Sequence, residues 1–324
     1  MLQHNLPCPD GRSVRFRHRL LACAAIAIIT IAGGCARAND DQMPLPETGA
    51  TIELVPKLTV PPVYGAINVE KVYYAQFQLL RKATHALAEQ RPGIPDIYFI
   101  GFAGDAKQDV FLREIRSVHA LFDSRFDTRG RSLVLINNPA TVATVPLASA
   151  HNLLAALDQV AIRMDRDEDV LFLYLTSHGT PGVLAVDFEP LQLNELTATG
   201  LRSMLDRAGI KWRVIVVSAC YSGSFIEPLK TDDTMIVTAA RNDRVSFGCS
   251  HENDFTYFGR AYFDQALRKT FSFADAYDSA RTTVRKWETE EDLEPSLPQI
   301  FIGGAIRPKL AEIEERMREL VPAN

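Results

Sequence analysis

The chain has 324 residues, 47% of them hydrophobic and 23% charged, with a formal net charge of -5. That length and composition suit one globular domain with extensions and exclude a low-complexity chain. The mild acidity, with no basic stripe, excludes a nucleic-acid-binding surface.

The first residues read as an export signal. Arg12, Arg15, Arg17 and Arg19 make a positive segment, and an apolar run of 12 residues over 20–31 follows. That run is too short to cross a bilayer comfortably as a helix. Ala32-Gly33-Gly34-Cys35 comes next, and small residues before a cysteine at this place resemble a bacterial lipoprotein signal. The resemblance implies removal of residues 1–34, lipidation of Cys35, and a lipid-anchored protein of the bacterial cell envelope facing the periplasm or the exterior. An ordinary secretory signal cut near Ala36 or Ala38 is the alternative. Either removes Cys8 and Cys23. With Cys35 acylated, Cys220 and Cys249 are the remaining thiols. In an oxidising compartment those two invite a disulfide, the structural alternative to a reactive Cys220.

Residues 35–66 read as a Pro-rich tether, broken by Pro44, Pro46, Pro56, Pro61 and Pro62. The folded body is expected over 67–324. Val72, Phe77, Leu80, Ala83 and Leu87 recur at helical spacing and predict a helix over 69–89. A strand follows over 96–101, a helix over 110–121, a strand over 131–137 and a helix over 148–163. A strand over 169–175 ends on Thr176-Ser177-His178-Gly179. Residues 183–193 alternate loosely and predict a hairpin. A helix over 196–208 closes on Gly209. A strand over 213–217 ends on Ser218-Ala219-Cys220-Tyr221-Ser222-Gly223. A strand over 234–239, helices over 255–267 and 273–287, a strand over 298–303 and a helix over 310–320 complete the chain. Strands alternating with helices imply βαβ units, hence an α/β fold with a mostly parallel sheet and helices on both faces.

The two strands ending near His178 and Cys220 are almost continuously apolar, as strands covered on both faces are. Open α/β sheets place their ligands at the carboxyl ends of such strands. Parallel neighbours would therefore bring an imidazole, a thiol and small-residue amides into one crevice, the requirements of cysteine acyl transfer. Cys220 is the candidate nucleophile and His178 the candidate base and acid. Gly179 is a candidate oxyanion donor, with the amide of Cys220 as the second.

These segments resemble those of legumain-type cysteine peptidases, family C13 of the caspase-like clan. Leu175-Thr176-Ser177-His178-Gly179 with Gly182 and Leu184 is similar to the family's His segment. Ala219-Cys220-Tyr221-Ser222-Gly223-Ser224 is similar to its Cys segment. Val237-Thr238-Ala239-Ala240, Ser246-Phe247-Gly248-Cys249 and Thr256-Tyr257-Phe258-Gly259 are similar to its pocket-wall segment. The resemblance implies a caspase-like three-layer sandwich, a Cys-His dyad that cleaves peptide or protein substrates after a chosen P1 residue, and no metal or organic cofactor. The same dyad serves transamidases and ligases, and a non-catalytic lipoprotein binding module is the remaining alternative. Where legumains carry an aspartate after the Tyr-x-Gly, this chain has Arg260, which would favour an acidic P1 residue if it faces the pocket. Ser246 is a further candidate pocket residue. Asp105 is a candidate orienting or pocket group, with capping of the following helix as the alternative. Asp187 reads as a hairpin charge. Cys249 reads as a buried small apolar residue, and His251 has no obvious partner.

Overall fold

A computed structural model describes residues 67–320. The predicted signal, the predicted lipidation site Cys35 and the predicted tether lie outside the described residues. In chain order the elements are α1 (Val69–His85), β1 (Ile97–Ala103), α2 (Asp109–Arg125), β2 (Ser132–Ile136), α3 (Ala150–Arg163) and β3 (Val170–Thr176). Three two-residue strands follow, β4 (Gly179–Thr180), β5 (Val183–Leu184) and β6 (Leu196–Thr197), then α4 (Ala198–Ala208) and β7 (Trp212–Ser218). A 3-10 turn at Ser222–Phe225 leads into α5 (Ile226–Leu229), then β8 (Thr234–Thr238) and α6 (Tyr257–Gly259), which runs into a π-helical segment, Arg260–Ala266. α7 (Phe273–Glu290), β9 (Gln299–Ile302) and α8 (Ile306–Leu320) close the fold.

Six strands make the central sheet in the order β2-β1-β3-β7-β8-β9. Neighbours from β2 to β8 pair parallel, and β9 runs antiparallel on β8. The mostly parallel sheet with helices on both faces is therefore present. Side-chain alternation divides the core between the faces. From β3, Val170, Phe172 and Tyr174 join one apolar cluster with α2, α7 and α8. Leu171, Leu173 and Leu175 join the other with α3 and α4. All seven residues of β3 are buried, which explains the unbroken apolar run.

Four expectations need correction. α1 ends at His85 rather than 89, because the chain beyond it turns to the 128–131 turn, where Ala88 N–H donates to Gly130 O (2.7 Å). Phe77, placed on the apolar stripe, is 69% exposed, whereas Val72 is buried. The hairpin expected over 183–193 lies earlier: β4 pairs with β5, and β5 then pairs with β6. The reach of that hairpin is set by Gly182, whose φ of 75° suits a tight turn. The predicted helix over 255–267 is a short α-turn followed by the π-helical segment.

Candidate active site

The sheet register builds the site. On β3 and β7, Thr176 lies opposite Ser218. On β1 and β3, Ala103 lies opposite Thr176. The residues two beyond each of these are Asp105, His178 and Cys220. Neighbouring strands run about 4.8 Å apart, so these three leave the sheet in one row at its carboxyl edge. Ser177 N–H donates to Ser218 O (3.3 Å) and Gly104 N–H to Thr176 O (3.0 Å), carrying the register past the strand ends.

His178 is held from several sides. Its carbonyl accepts from Ala185 N–H (2.9 Å). Phe111 of α2 meets its ring edge-on, centroids 5.3 Å apart and planes at 85°. Burial pushes the imidazole below its ordinary value, while the charge of Asp105 opposes that shift most strongly, with Lys107 lowering it further and Asp187 raising it. Asp105 is 4% exposed. Burial pushes its carboxyl up, and the charge of His178 pulls it back. Asp105 does not cap α2. Its Oδ1 accepts from Lys107 N–H (2.7 Å), and the N-cap of α2 is Gln108. Asp187 is more than a hairpin charge. Its backbone bridges to Asp105, with Ala106 N–H donating to Asp187 O (2.9 Å), and its carboxylate pairs with Lys107 Nζ (2.7 Å).

Cys220 is buried, and its thiol is free, so the disulfide with Cys249 does not form. Cys249 is half-buried rather than buried and packs against the apolar core. Ser246 N–H donates to Cys220 Sγ at 3.3 Å. The Ser246 carbonyl and hydroxyl lie 3.6 Å and 3.8 Å from the same sulfur. Ser246 thus borders the thiol directly, and its amide is placed to support a thiolate. Tyr221, the next residue, takes a left-handed φ of 57°, and its N–H donates to Arg244 O (2.7 Å). This bend turns the chain away from the sheet immediately after the thiol.

The amides of Gly179 and Cys220 are the two candidate oxyanion donors. His178 O accepts from Ala185 N–H, which makes 178 and 185 a hydrogen-bonded pair. The next pair, Gly179 and Leu184, is then non-bonded, because the pairs of an antiparallel ladder alternate. The Gly179 N–H therefore points away from β5. The Cys220 N–H meets no backbone carbonyl among the described residues. Ser224 Oγ steadies the bend by accepting from Gly182 N–H (2.8 Å) and donating to Tyr221 O (2.5 Å). That explains the serine of the Cys segment.

Arg260 stands apart. It is exposed at the start of the π-helical segment, and its charge acts on the Tyr257 hydroxyl, which donates to Glu291 (2.5 Å). The charges acting on His178 are those of Asp105, Lys107 and Asp187. His251 does have a partner: its Nδ1 accepts from Asp109 N–H (3.3 Å) at the start of α2. Among the described residues no group of His, Cys, Asp and Glu side chains could hold a metal ion.

Residues 149–307 match the family model described as the Peptidase C13 family. That stretch contains both His178 and Cys220. The chain is 33% identical to legumain of Rattus norvegicus over 120 residues, 36% of this chain and 26% of that protein. It is 33% identical to legumain of Bos taurus over 120 residues, 36% of this chain and 27% of the relative. Vacuolar-processing enzyme of Phaseolus vulgaris is 33% identical over 128 residues, 34% of this chain and 26% of the relative. The chain therefore spans about a quarter of the length of these relatives. Among solved structures, caspase-1 from Spodoptera frugiperda is similar at 14% identity and a TM-score of 0.44, covering 64% of this chain and 86% of that one.

Proposed function

We propose that this chain is a cysteine endopeptidase. The observation that carries the reading is the row of Asp105, His178 and Cys220, each two residues beyond the end of one of three adjacent parallel strands. Similarity to C13 peptidases over the stretch holding His178 and Cys220 supports it.

His178 takes the thiol proton, and the Cys220 thiolate attacks the scissile carbonyl carbon. The negative charge that develops on the carbonyl oxygen meets the Gly179 and Cys220 amides. The His178 imidazolium then gives its proton to the leaving amine, the C–N bond breaks, and a thioester remains. A water deprotonated by His178 attacks the thioester and frees the carboxylic acid and the thiol. Asp105, beside His178, orients the ring and stabilises its protonated form. Ser246 borders the entering carbonyl.

The test is cleavage of a P1-diverse peptide library by the protein beside its Cys220→Ala and His178→Ala variants. Cleavage that both variants abolish supports the reading. Equal cleavage by wild type and Cys220→Ala overturns it. Products joined to an added amine would reassign the enzyme as a transamidase, and an absence of turnover would favour a binding module.

The N-terminal sequence supports a second part of the reading, a lipid anchor on Cys35 in a bacterial envelope. Metabolic labelling with a fatty acid, lost in Cys35→Ala, tests it. Label retained by that variant overturns it.

A further inference from the structure

Glu114 of α2 is fully buried, yet none of the steps above uses it. Its carboxylate receives four donors. Tyr174 OH and Thr176 Oγ1 (2.8 Å), both of β3, donate to Oε1. Thr256 N–H (2.7 Å) and Thr256 Oγ1 (2.9 Å) donate to Oε2. Thr256 Oγ1 in turn lies 3.1 Å from Ser218 Oγ, the last residue of β7, and accepts from Gly259 N–H (3.1 Å). One carboxylate thus gathers β3 two residues before His178, β7 two residues before Cys220 through Thr256, and the start of α6.

The surrounding sequence accommodates this group. A Cβ on Gly259 would overlap Glu114 Oε2, so the glycine of Thr256-Tyr257-Phe258-Gly259 makes room for the carboxylate. Thr256 is both the N-cap of α6 and the double donor. That segment, otherwise outside the acyl-transfer steps, forms half of the Glu114 cradle. Phe111, which meets the His178 ring, lies three residues before Glu114 on the same helix and so is fixed by the same anchor.

We infer that Glu114 is a positioning residue: by tying the ends of β3 and β7 to α2, it sets the alignment of His178 with Cys220. The inference rests on the acyl-transfer reading of that pair. A buried carboxylate that accepts from rigid elements is well suited to the task. Burial pushes its carboxyl up while the four donors oppose that shift, and low dielectric strengthens all four bonds. Glutamine keeps the shape but offers one acceptor oxygen where the carboxylate has two, so two of the four donors lose their acceptor.

The experiment measures how far His178 accelerates alkylation of Cys220 by iodoacetamide at pH 7, read by mass spectrometry of the Cys220 peptide. No peptide substrate is required. Wild type is compared with His178→Ala, and Glu114→Gln with Glu114→Gln/His178→Ala. Thermal melting checks that each variant is folded. The wild-type rate should exceed that of His178→Ala at least about tenfold, in the range of general-base assistance. In the Glu114→Gln background that ratio should collapse toward one, whereas a merely structural loss would slow both members of the pair alike. Thr176→Val, isosteric and on β3, should reduce the ratio in the same direction and carries the test if Glu114→Gln does not fold. A full ratio retained in both variants overturns the positioning role and leaves the dyad standing. A wild-type ratio of one removes the dyad itself, and the inference with it.

Discussion

A Cβ placed on Gly179 would lie 2.5 Å from the carbonyl oxygen of Cys220. The residue after the candidate base is therefore pressed against the backbone of the candidate nucleophile, and no side chain fits between them. Gly179→Ala must push β4 away from Cys220 and carry the Gly179 amide out of position. Loss of one oxyanion donor lowers kcat by about 10²-fold or more. The expected outcome is a fall of that order in kcat with a cooperative melt retained. A variant with wild-type kcat would show that the Gly179 amide does not face the reacting carbonyl.

Phe111 is fully buried and walls one side of the His178 ring. Phe111→Leu keeps most of the volume and should cost about 1.5 kcal/mol or less of stability. It removes the edge contact that limits ring rotation, so kcat should fall about tenfold with KM little changed, as expected for lost orientation. Equal loss in kcat and stability for Phe111→Leu, or a change confined to KM, would count against that role. Phe111→Ala should cost about 3–5 kcal/mol and chiefly destabilise the protein.

The periodicity of apolar runs made the alternating strands and helices legible, and with them the carboxyl-edge location of His178 and Cys220. Both stand where continuous apolar strands stop, a signal carried by local sequence. Asp105 was visible only as an acid after the first strand. Its place beside His178 depends on the pairing of Ala103 with Thr176, and register between strands distant in sequence leaves no local mark. Glu114 and Phe111 were hidden for a related reason. They lie within an ordinary amphipathic helix, and burial of Glu114 depends on partners 60 to 142 residues away. The thiol's contact with the Ser246 amide is a backbone feature that residue identity does not encode.

Asp105 and His178 act on each other through charge. Burial holds the imidazole below its ordinary value, and the Asp105 carboxylate is the strongest opposing influence. Asp105→Asn removes a negative charge that favours imidazolium, so the titration of His178 should move to still lower pH. Histidine C2–H resonances followed by NMR through the pH range, with His178 assigned by its loss in His178→Ala, read the shift directly. Turnover at neutral pH should fall as well, because a weaker base accepts the thiol proton less readily. An unchanged or higher midpoint would dissociate Asp105 from the imidazole.

Asp169, directly before β3, is fully buried and accepts from Asp96 N–H and Asp165 N–H, each at 2.8 Å. Burial raises its carboxyl from 3.8 to about 6. A carboxyl raised on folding favours the native state below its unfolded value, and that advantage disappears as pH climbs through the folded one. Across pH 4 to 7 the loss amounts to up to about 3 kcal/mol. Asp169→Asn cannot titrate, and its lost acceptor for Asp165 N–H is a constant offset at every pH. The stability of wild type minus that of Asp169→Asn, from urea unfolding, should therefore be greater at pH 4 than at pH 7 by up to that amount. A difference that stays flat, or grows with pH, would mean that Asp169 remains an ordinary carboxylate beneath the strand that carries His178.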